Sequence, residues 1–202
     1  ERFHSISGCF YTEARNWSYD SPFKKKVFSN AIDIGSGTGC IGITLALEMP
    51  SIIIDLIDIS NTALENIRRN IKRFKCQKSV KSYKLDILNQ IPTYKYDVLV
   101  SNPPYIEDTM INKLDYSVKY YDPINALTDY SDGLTFYRRI HQIADQVLNK
   151  NGIIIMEAGN YQQINEIKNI FDNYITTIHN DLNNDPRIIE LKRQSQSWSF
   201  YL

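Results

Sequence analysis

Between Val100 and Ile106 the chain reads Ser101-Asn102-Pro103-Pro104-Tyr105. Two consecutive prolines remove two N–H donors and stiffen the backbone, leaving the neighbouring carbonyls outward as acceptors. Asn102 adds a side-chain carbonyl and Tyr105 an aromatic face. Acceptors beside a flat ring are suited to holding a planar –NH2 group by taking both of its hydrogens. The segment directly follows Asp97–Val100, a short apolar run read as a strand. Open α/β sheets bind ligands at such strand ends.

A second constellation is Asp33-Ile34-Gly35-Ser36-Gly37-Thr38-Gly39, which holds three of the chain's eight glycines. A loop so poor in side chains lets a ligand approach the backbone, and the helix that follows offers free N–H groups. An ordinary tight turn needs one glycine. Two parses stay open. Gly37 to Gly42 fits the GxGxxG dinucleotide pattern, whereas Gly35 to Gly39 after Asp33 resembles the glycine loop of S-adenosylmethionine methyltransferases. Asp58 ends the Ile52–Ile57 run and is placed to bind ribose hydroxyls under either parse. Asp86 follows a weaker strand. It is a candidate acceptor for an adenine exocyclic amine, with Ile87 packing on the ring.

These residues need a frame. Strands are expected at 31–34, Ile52–Ile57, Val80–Lys84, Asp97–Val100, Gly152–Met156, Tyr174–His179 and Ile188–Lys192, with Ser197–Leu202 as an extension. Helices are expected at Gly39–Glu48, Asn61–Phe74, Leu134–Leu148 and Gln162–Phe171, and a short one from Ser21-Pro22 through Lys26. Residues 105–133 are polar, Tyr-rich and poorly periodic, so they read as a long functional loop with short local elements. The tyrosines at 116, 120, 121 and 130 either wall a cleft there or pack the loop down. Strands alternating with helices at this interval indicate an α/β sandwich with a mostly parallel sheet.

Composition narrows the class. Of the 202 residues, 43% are hydrophobic and 23% charged, which supports one packed domain and excludes disorder of the whole chain. No apolar run approaches the ~20 residues of a membrane helix. Glu1-Arg2-Phe3-His4 does not begin a signal peptide, so a soluble cytoplasmic chain is expected. Lys and Arg number 23, as do Asp and Glu, and this balance lowers the expectation of extended nucleic-acid binding. Cys9, Cys40 and Cys76 form no CxxC or Cys/His cluster, so neither a metal site nor a disulfide framework is expected. The basic run Arg68, Arg69, Lys72, Arg73, Lys75 and Lys78 reads as a solvated helix face rather than a partner surface.

Taken together, the Asn102–Tyr105 segment after the fourth strand and the glycine loop after the first resemble amino-methylating class I methyltransferases. Four further matches narrow this to the PrmC/HemK family of protein-glutamine methyltransferases. Tyr121-Asp122-Pro123 with Ala126-Leu127 resembles its EPxxAL segment. Asp132-Gly133-Leu134-Thr135-Phe136-Tyr137-Arg138-Arg139-Ile140 resembles its DGLxFYRRI helix start. Glu157-Ala158-Gly159 with Gln162 resembles its ExGxxQ strand end, and Asp181 with Arg187 its terminal DxxGxxR pattern. The resemblance covers roughly residues 30–193. It departs at Trp17–Lys26, which stands where the family carries IPRPETE, and at Asn183-Asn184-Asp185-Pro186, which replaces a glycine. Ile87 stands where an aromatic residue is common, and the chain has no room for the family's helical N-terminal domain.

The resemblance implies a class I Rossmann-like α/β sandwich over residues 30–202, preceded by an unassigned segment 1–29. Its sheet has seven mostly parallel strands, the last antiparallel. It implies S-adenosyl-L-methionine as cofactor, held by Gly35, Ser36, Gly37, Thr38, Gly39, Asp58, Asp86, Ile87 and Asn102. Asn102, Pro103, Pro104 and Tyr105 would form the catalytic set. The implied reaction methylates a glutamine side-chain amide, that of the GGQ segment of class 1 peptide chain release factors, by a monomeric enzyme. Rivals are a nucleic-acid adenine or guanine amino-methyltransferase, since adenine N6 is an equally planar amine, and a non-catalytic cofactor-binding homologue. A nicotinamide-dependent reductase would leave Asn102–Tyr105 unexplained.

Overall fold

The computed structural model describes residues 28–113, 123–181 and 183–194. The short helix expected near Lys24, the tyrosines at 116, 120 and 121, Asp122, Cys9 and the extension at 197–202 lie outside the described residues. The elements run β1 (Asn30–Ile34), α1 (Cys40–Glu48), β2 (Ile53–Asp58), α2 (Asn61–Arg73), β3 (Val80–Lys84) and β4 (Tyr96–Ser101). A 3-10 turn (Asp108–Lys113) and the one-turn α3 (Ile124–Leu127) lead to α4 (Thr135–Val147), β5 (Leu148–Glu157), α5 (Tyr161–Ile170), β6 (Tyr174–Asn180) and β7 (Pro186–Arg193).

The strands form one seven-stranded sheet in the order β3-β2-β1-β4-β5-β7-β6. The pairs β1–β2, β1–β4, β2–β3 and β4–β5 are parallel, and β7 runs antiparallel to both neighbours. This is the expected class I methyltransferase arrangement. The order reverses between β1 and β4, so their C-terminal ends flank the crevice where such sheets take ligands.

Alternate strand residues feed two cores. Ile32, Leu99, Ile154 and Met156 point to one face, under α4 and α5 through Tyr137, Ile140, Ile164 and Phe171. Ala31, Val98, Val100, Ile153 and Ile155 point to the other, under α1 and α2 through Ile43, Leu64, Ile67 and Ile71. This two-residue alternation follows from the pleat. Each fully buried Ile or Leu contributes about 1.5–3 kcal/mol. On α2 the charged residues of the basic run all face solvent, as expected.

Local chemistry sets the helix starts. Ser60 Oγ accepts from Ala63 N at 3.3 Å to open α2, and Asn160 Oδ1 accepts from Gln163 N at 2.9 Å to open α5. One expectation is corrected: β5 begins at Leu148, not Gly152. Leu148 pairs with Tyr96, and after a register shift Ile153 pairs with Val98. The polar Asn149-Lys150-Asn151 stretch interrupts the apolar pattern, but the strand passes through it.

Candidate active site

The glycine loop leaves β1 directly beside the Asn102–Tyr105 segment leaving β4. Ile34 and Ser101 are register partners, and Ser101 Oγ donates to the Ile34 carbonyl at 2.7 Å. The amides of Gly35 and Ser36 both donate to the Ile57 carbonyl at 3.0 Å, which folds the loop back over β2. Gly35, Gly37 and Gly39 all adopt positive φ, a conformation that strains any residue with a Cβ. A Cβ at Gly35 or Gly37 would meet nothing within 4 Å, so the outer face of the loop is open. At Gly42 a Cβ would lie 2.2 Å from Leu56 Cδ2: this glycine serves the packing of α1 on β2.

The polar residues of the loop divide into inward and outward sets. Ser36 is buried, and its hydroxyl donates to the Asp33 carbonyl at 2.7 Å, with the Ile57 carbonyl at 3.0 Å. The Thr38 carbonyl accepts from Asn70 Nδ2 at 2.9 Å, which ties the loop to α2. Asp58 Oδ2 accepts from Gly37 N at 2.9 Å and Oδ1 from Ser60 N at 2.8 Å. A carboxylate has about four lone-pair sites, so two remain for ligand hydroxyls. Asp33 is fully buried. Its Oδ2 accepts from Gly42 N at 3.0 Å, while Oδ1 has no hydrogen-bond partner. Burial pushes its pKa up to about 7, against the pull of the Gly42 amide and with help from the nearby Asp58 charge.

Asp86 and Ile87 sit on a turn after β3. Asp86 Oδ1 accepts from Leu88 N at 3.0 Å and Oδ2 from Asn89 Nδ2 at 2.8 Å. Ile87 is buried against Ile34, Ile57 and Leu134, so little of its side chain is left to face a ring. The turn is held from α4: Arg139 Nε donates to the Ile87 carbonyl at 2.7 Å and Nη2 to the Gln90 carbonyl at 3.2 Å.

Tyr105 is the most constrained residue of its segment. Its hydroxyl donates to Glu157 Oε1 at 3.1 Å, at the end of β5. Burial, then the Glu157 charge, push its phenol well above the ordinary tyrosine range, so it stays protonated and donates. Its carbonyl accepts from Gln163 Nε2 at 2.9 Å. Tyr137 Oη donates to the Glu157 carbonyl at 2.6 Å. Arg187 Nη1 donates to the Gly159 carbonyl at 2.8 Å and its Nε lies 3.7 Å from Asp181 Oδ2. Asp181 and Arg187, read as a pair in sequence, are therefore a pair in space.

The loop before α4 is built around Asp129. Its Oδ1 accepts from the amides of Ser131 and Gly133 and its Oδ2 from Thr135 N, at 2.9–3.0 Å. Burial opposes ionisation there, but Thr135 and these amides overcome it and hold the carboxyl below its usual range. A cavity of about 420 Å³ opens nearby between Glu107, Asp132, Arg138 and Glu166; no residue of Asn102–Tyr105 or of the glycine loop lines it. Among the described residues no cluster of His, Cys, Asp or Glu could hold a metal ion, and no helix is long and apolar enough to cross a membrane.

Sequence reasoning missed the roles of Arg139 and Gln163. Both reach backbone carbonyls far away in the chain, and neither position has a local pattern that announces this.

Comparison with known proteins agrees with this geometry. The methyltransferase small domain family matches residues 21–116. The chain is 35% identical over 190 residues to a release factor glutamine methyltransferase of Fusobacterium nucleatum, covering 85% of this chain and 49% of that protein. It is 34% identical over 134 residues to a ribosomal protein uL3 glutamine methyltransferase of Francisella tularensis, covering 66% and 42%. The chain thus spans half or less of the length of these curated relatives. Among solved structures, the N-methyltransferase NodS of Bradyrhizobium japonicum, in complex with S-adenosyl-L-homocysteine, shares the fold. Its TM-score is 0.55 at 14% identity, over 92% of this chain and 86% of that one.

Proposed function

We propose that this chain, as an S-adenosylmethionine-dependent methyltransferase of the PrmC/HemK family, methylates the side-chain amide nitrogen of a glutamine in a protein, that of the GGQ segment of a class 1 release factor. The observation that carries the proposal is the Asn102–Tyr105 segment, pinned at the crevice by Ser101 to Ile34 and by Tyr105 to Glu157.

The residues of the glycine loop fit the methyl donor. Gly35 and Gly37 leave the outer face of the loop clear of side chains, so a ligand can approach the backbone there. Asp58 keeps lone pairs for ribose hydroxyls, and the turn carrying Asp86 and Ile87 lies at the end of β3, one strand beyond it. Here Ser36 acts from inside the loop, shaping it rather than touching the ligand. When bound, S-adenosylmethionine supplies an electrophilic methyl on a positively charged sulfur.

An amide nitrogen is a poor nucleophile because its lone pair is delocalised into the carbonyl. The segment offers no covalent nucleophile and no strong base, so it works by position and electrostatics. Asn102 Oδ1 and the Pro103 carbonyl accept the two hydrogens of the substrate amide. This turns the nitrogen lone pair toward the donor and favours the positive charge that develops on nitrogen. Tyr105 stacks on the amide plane, its ring held by Glu157. The proton leaves to water or through the carbonyl acceptors.

Mass spectrometry of a class 1 release factor, incubated with the protein and methyl donor, tests the proposal. One added methyl on the GGQ glutamine supports it. Methylation of ribosomal protein uL3 instead would move the substrate within the same chemistry. Methylation of adenine in single- or double-stranded DNA or RNA, with none on protein, would overturn it.

A further inference from the structure

We propose that Gln163 is a positioning residue of the amide clamp, setting the Tyr105 end of the Asn102–Tyr105 segment through its buried carboxamide. This rests on the reading of that segment as the clamp. Gln163 is 8% exposed and makes three hydrogen bonds through its side chain. Nε2 donates to the Tyr105 carbonyl at 2.9 Å and to the Gly133 carbonyl at 3.2 Å, and Oε1 accepts from Gly159 N at 2.8 Å. Two carbonyls and one N–H leave a single orientation for the amide, with both donors used.

The need for such a residue follows from the prolines. Pro103 and Pro104 have no N–H, so the middle of the segment has no backbone donor to tie it down. Its geometry must be set at its ends. One end is the β4 ladder with Ser101 bonded to Ile34. The other is Tyr105, and there the structure is built close. A Cβ on Gly133 would fall 2.3 Å from the Tyr105 carbonyl oxygen, and one on Gly159 would fall 3.0 Å from Tyr105 Cδ2. Both glycines let their loops reach Tyr105, and Gln163 bonds to all three residues. With both proline φ angles fixed, fewer torsions are left to absorb a rotation at Tyr105 before it reaches the Pro103 carbonyl, the proposed acceptor. Gln163 is itself seated by its own amide on Asn160 Oδ1.

The test uses Gln163→Met, nearly isosteric without hydrogen-bonding groups, and Gln163→Glu, which keeps the shape and loses both donors when ionised. Three quantities are read: kcat and KM for a glutamine substrate, cofactor Kd by calorimetry, and hydrogen exchange of a peptide spanning 102–107 against peptides from β4 and β5. The Gln163→Met variant should lose about 10–100-fold in kcat, the scale of a small misplacement of reacting groups. Its cofactor Kd should stay within about two-fold, and faster exchange should be confined to 102–107. Gln163→Glu should regain activity relative to wild type as pH falls, because burial favours the protonated carboxyl, which again offers one donor. Wild-type kcat and exchange in Gln163→Met overturn the proposal, as does a loss of protection spread evenly over the sheet with no pH rescue. If the wild-type protein methylates no glutamine, the clamp reading fails by itself. The exchange measurement then decides for Gln163 alone: loosening confined to 102–107 keeps its positioning role, and none removes it.

Discussion

The Tyr105 hydroxyl donates to Glu157 Oε1 at 3.1 Å, so a residue leaving β4 is locked to the last residue of β5. Glu157 is fully buried, and a buried carboxylate that loses a donor costs about 1–3 kcal/mol. Tyr105→Phe should therefore lower the unfolding free energy by about that amount while the ring itself is kept. Methyl transfer should fall roughly tenfold, far less than the loss from removing an acceptor on the reacting amide, with cofactor affinity unchanged. Denaturant titration and single-turnover rates check this; wild-type values in both would mean the bond orients nothing.

Gly37→Val should abolish cofactor binding. The valine side chain would stand in the open space outside the loop, and φ of +55° puts a β-branched residue under strain of about 1–3 kcal/mol. Calorimetry on the folded variant is the measurement. Retained affinity would remove this loop from the site.

Asp58→Ala should weaken cofactor binding by about 1–3 kcal/mol, the range for hydrogen bonds to a charged group. It should raise the cofactor KM more than it lowers kcat. Gly37 N and Ser60 N lose their acceptor at the same time, so the loop and the start of α2 should also exchange amide hydrogens faster. An effect confined to kcat would show that Asp58 is not a cofactor ligand.

Asp33 predicts a pH dependence of stability. Burial raises its folded pKa from 3.8 to about 7, so between those values the folded state binds a proton that the unfolded state has lost. Its contribution is fully present below pH 3.8 and is lost as pH rises through about 7, with a slope approaching 1.4 kcal/mol per pH unit. Asp33→Asn should gain stability relative to wild type across that window. Parallel pH profiles for the two proteins would contradict the assignment.

The strands, the helices and the switch point were legible because period-2 and period-3.6 patterns are local. Val80–Lys84 has the expected bounds, and α2 ends one residue before Phe74. That the glycine loop and Asn102–Tyr105 each leave the end of a buried strand was legible because each directly follows an apolar run. Direction was not legible. Ser36, Asp58 and Asp86 were read as ligand contacts, and their types did not show that each also holds its own loop: the Ser36 hydroxyl donates to the Asp33 carbonyl, Asp58 accepts from Gly37 N and Ser60 N, and Asp86 accepts from Leu88 N and Asn89 Nδ2. Asp55, inside an apolar run, gave no sign of its partner: Tyr96 Oη on β4, 2.6 Å away. Arg139 and Gln163 act on carbonyls in other segments, and only the assembled fold brings these within reach.

Asn102 carries the proposed chemistry, and its variants test it most directly. Methyl transfer to a glutamine-bearing substrate and cofactor affinity are measured together for Asn102→Ala and Asn102→Asp. Asn102→Ala should keep cofactor affinity within a few-fold and lose roughly 10²–10³ in rate, the scale for one preorganised polar group in a transition state. Asn102→Asp still accepts hydrogen bonds but adds a negative charge beside the sulfonium. That charge should stabilise the bound cation more than the transition state, in which the positive charge disperses. This variant should therefore bind cofactor as well as wild type or better and lose part of its kcat. If both variants methylate glutamine at the wild-type rate, Asn102 does not orient the amide, and the reading of Asn102–Tyr105 as a planar-amine clamp is wrong.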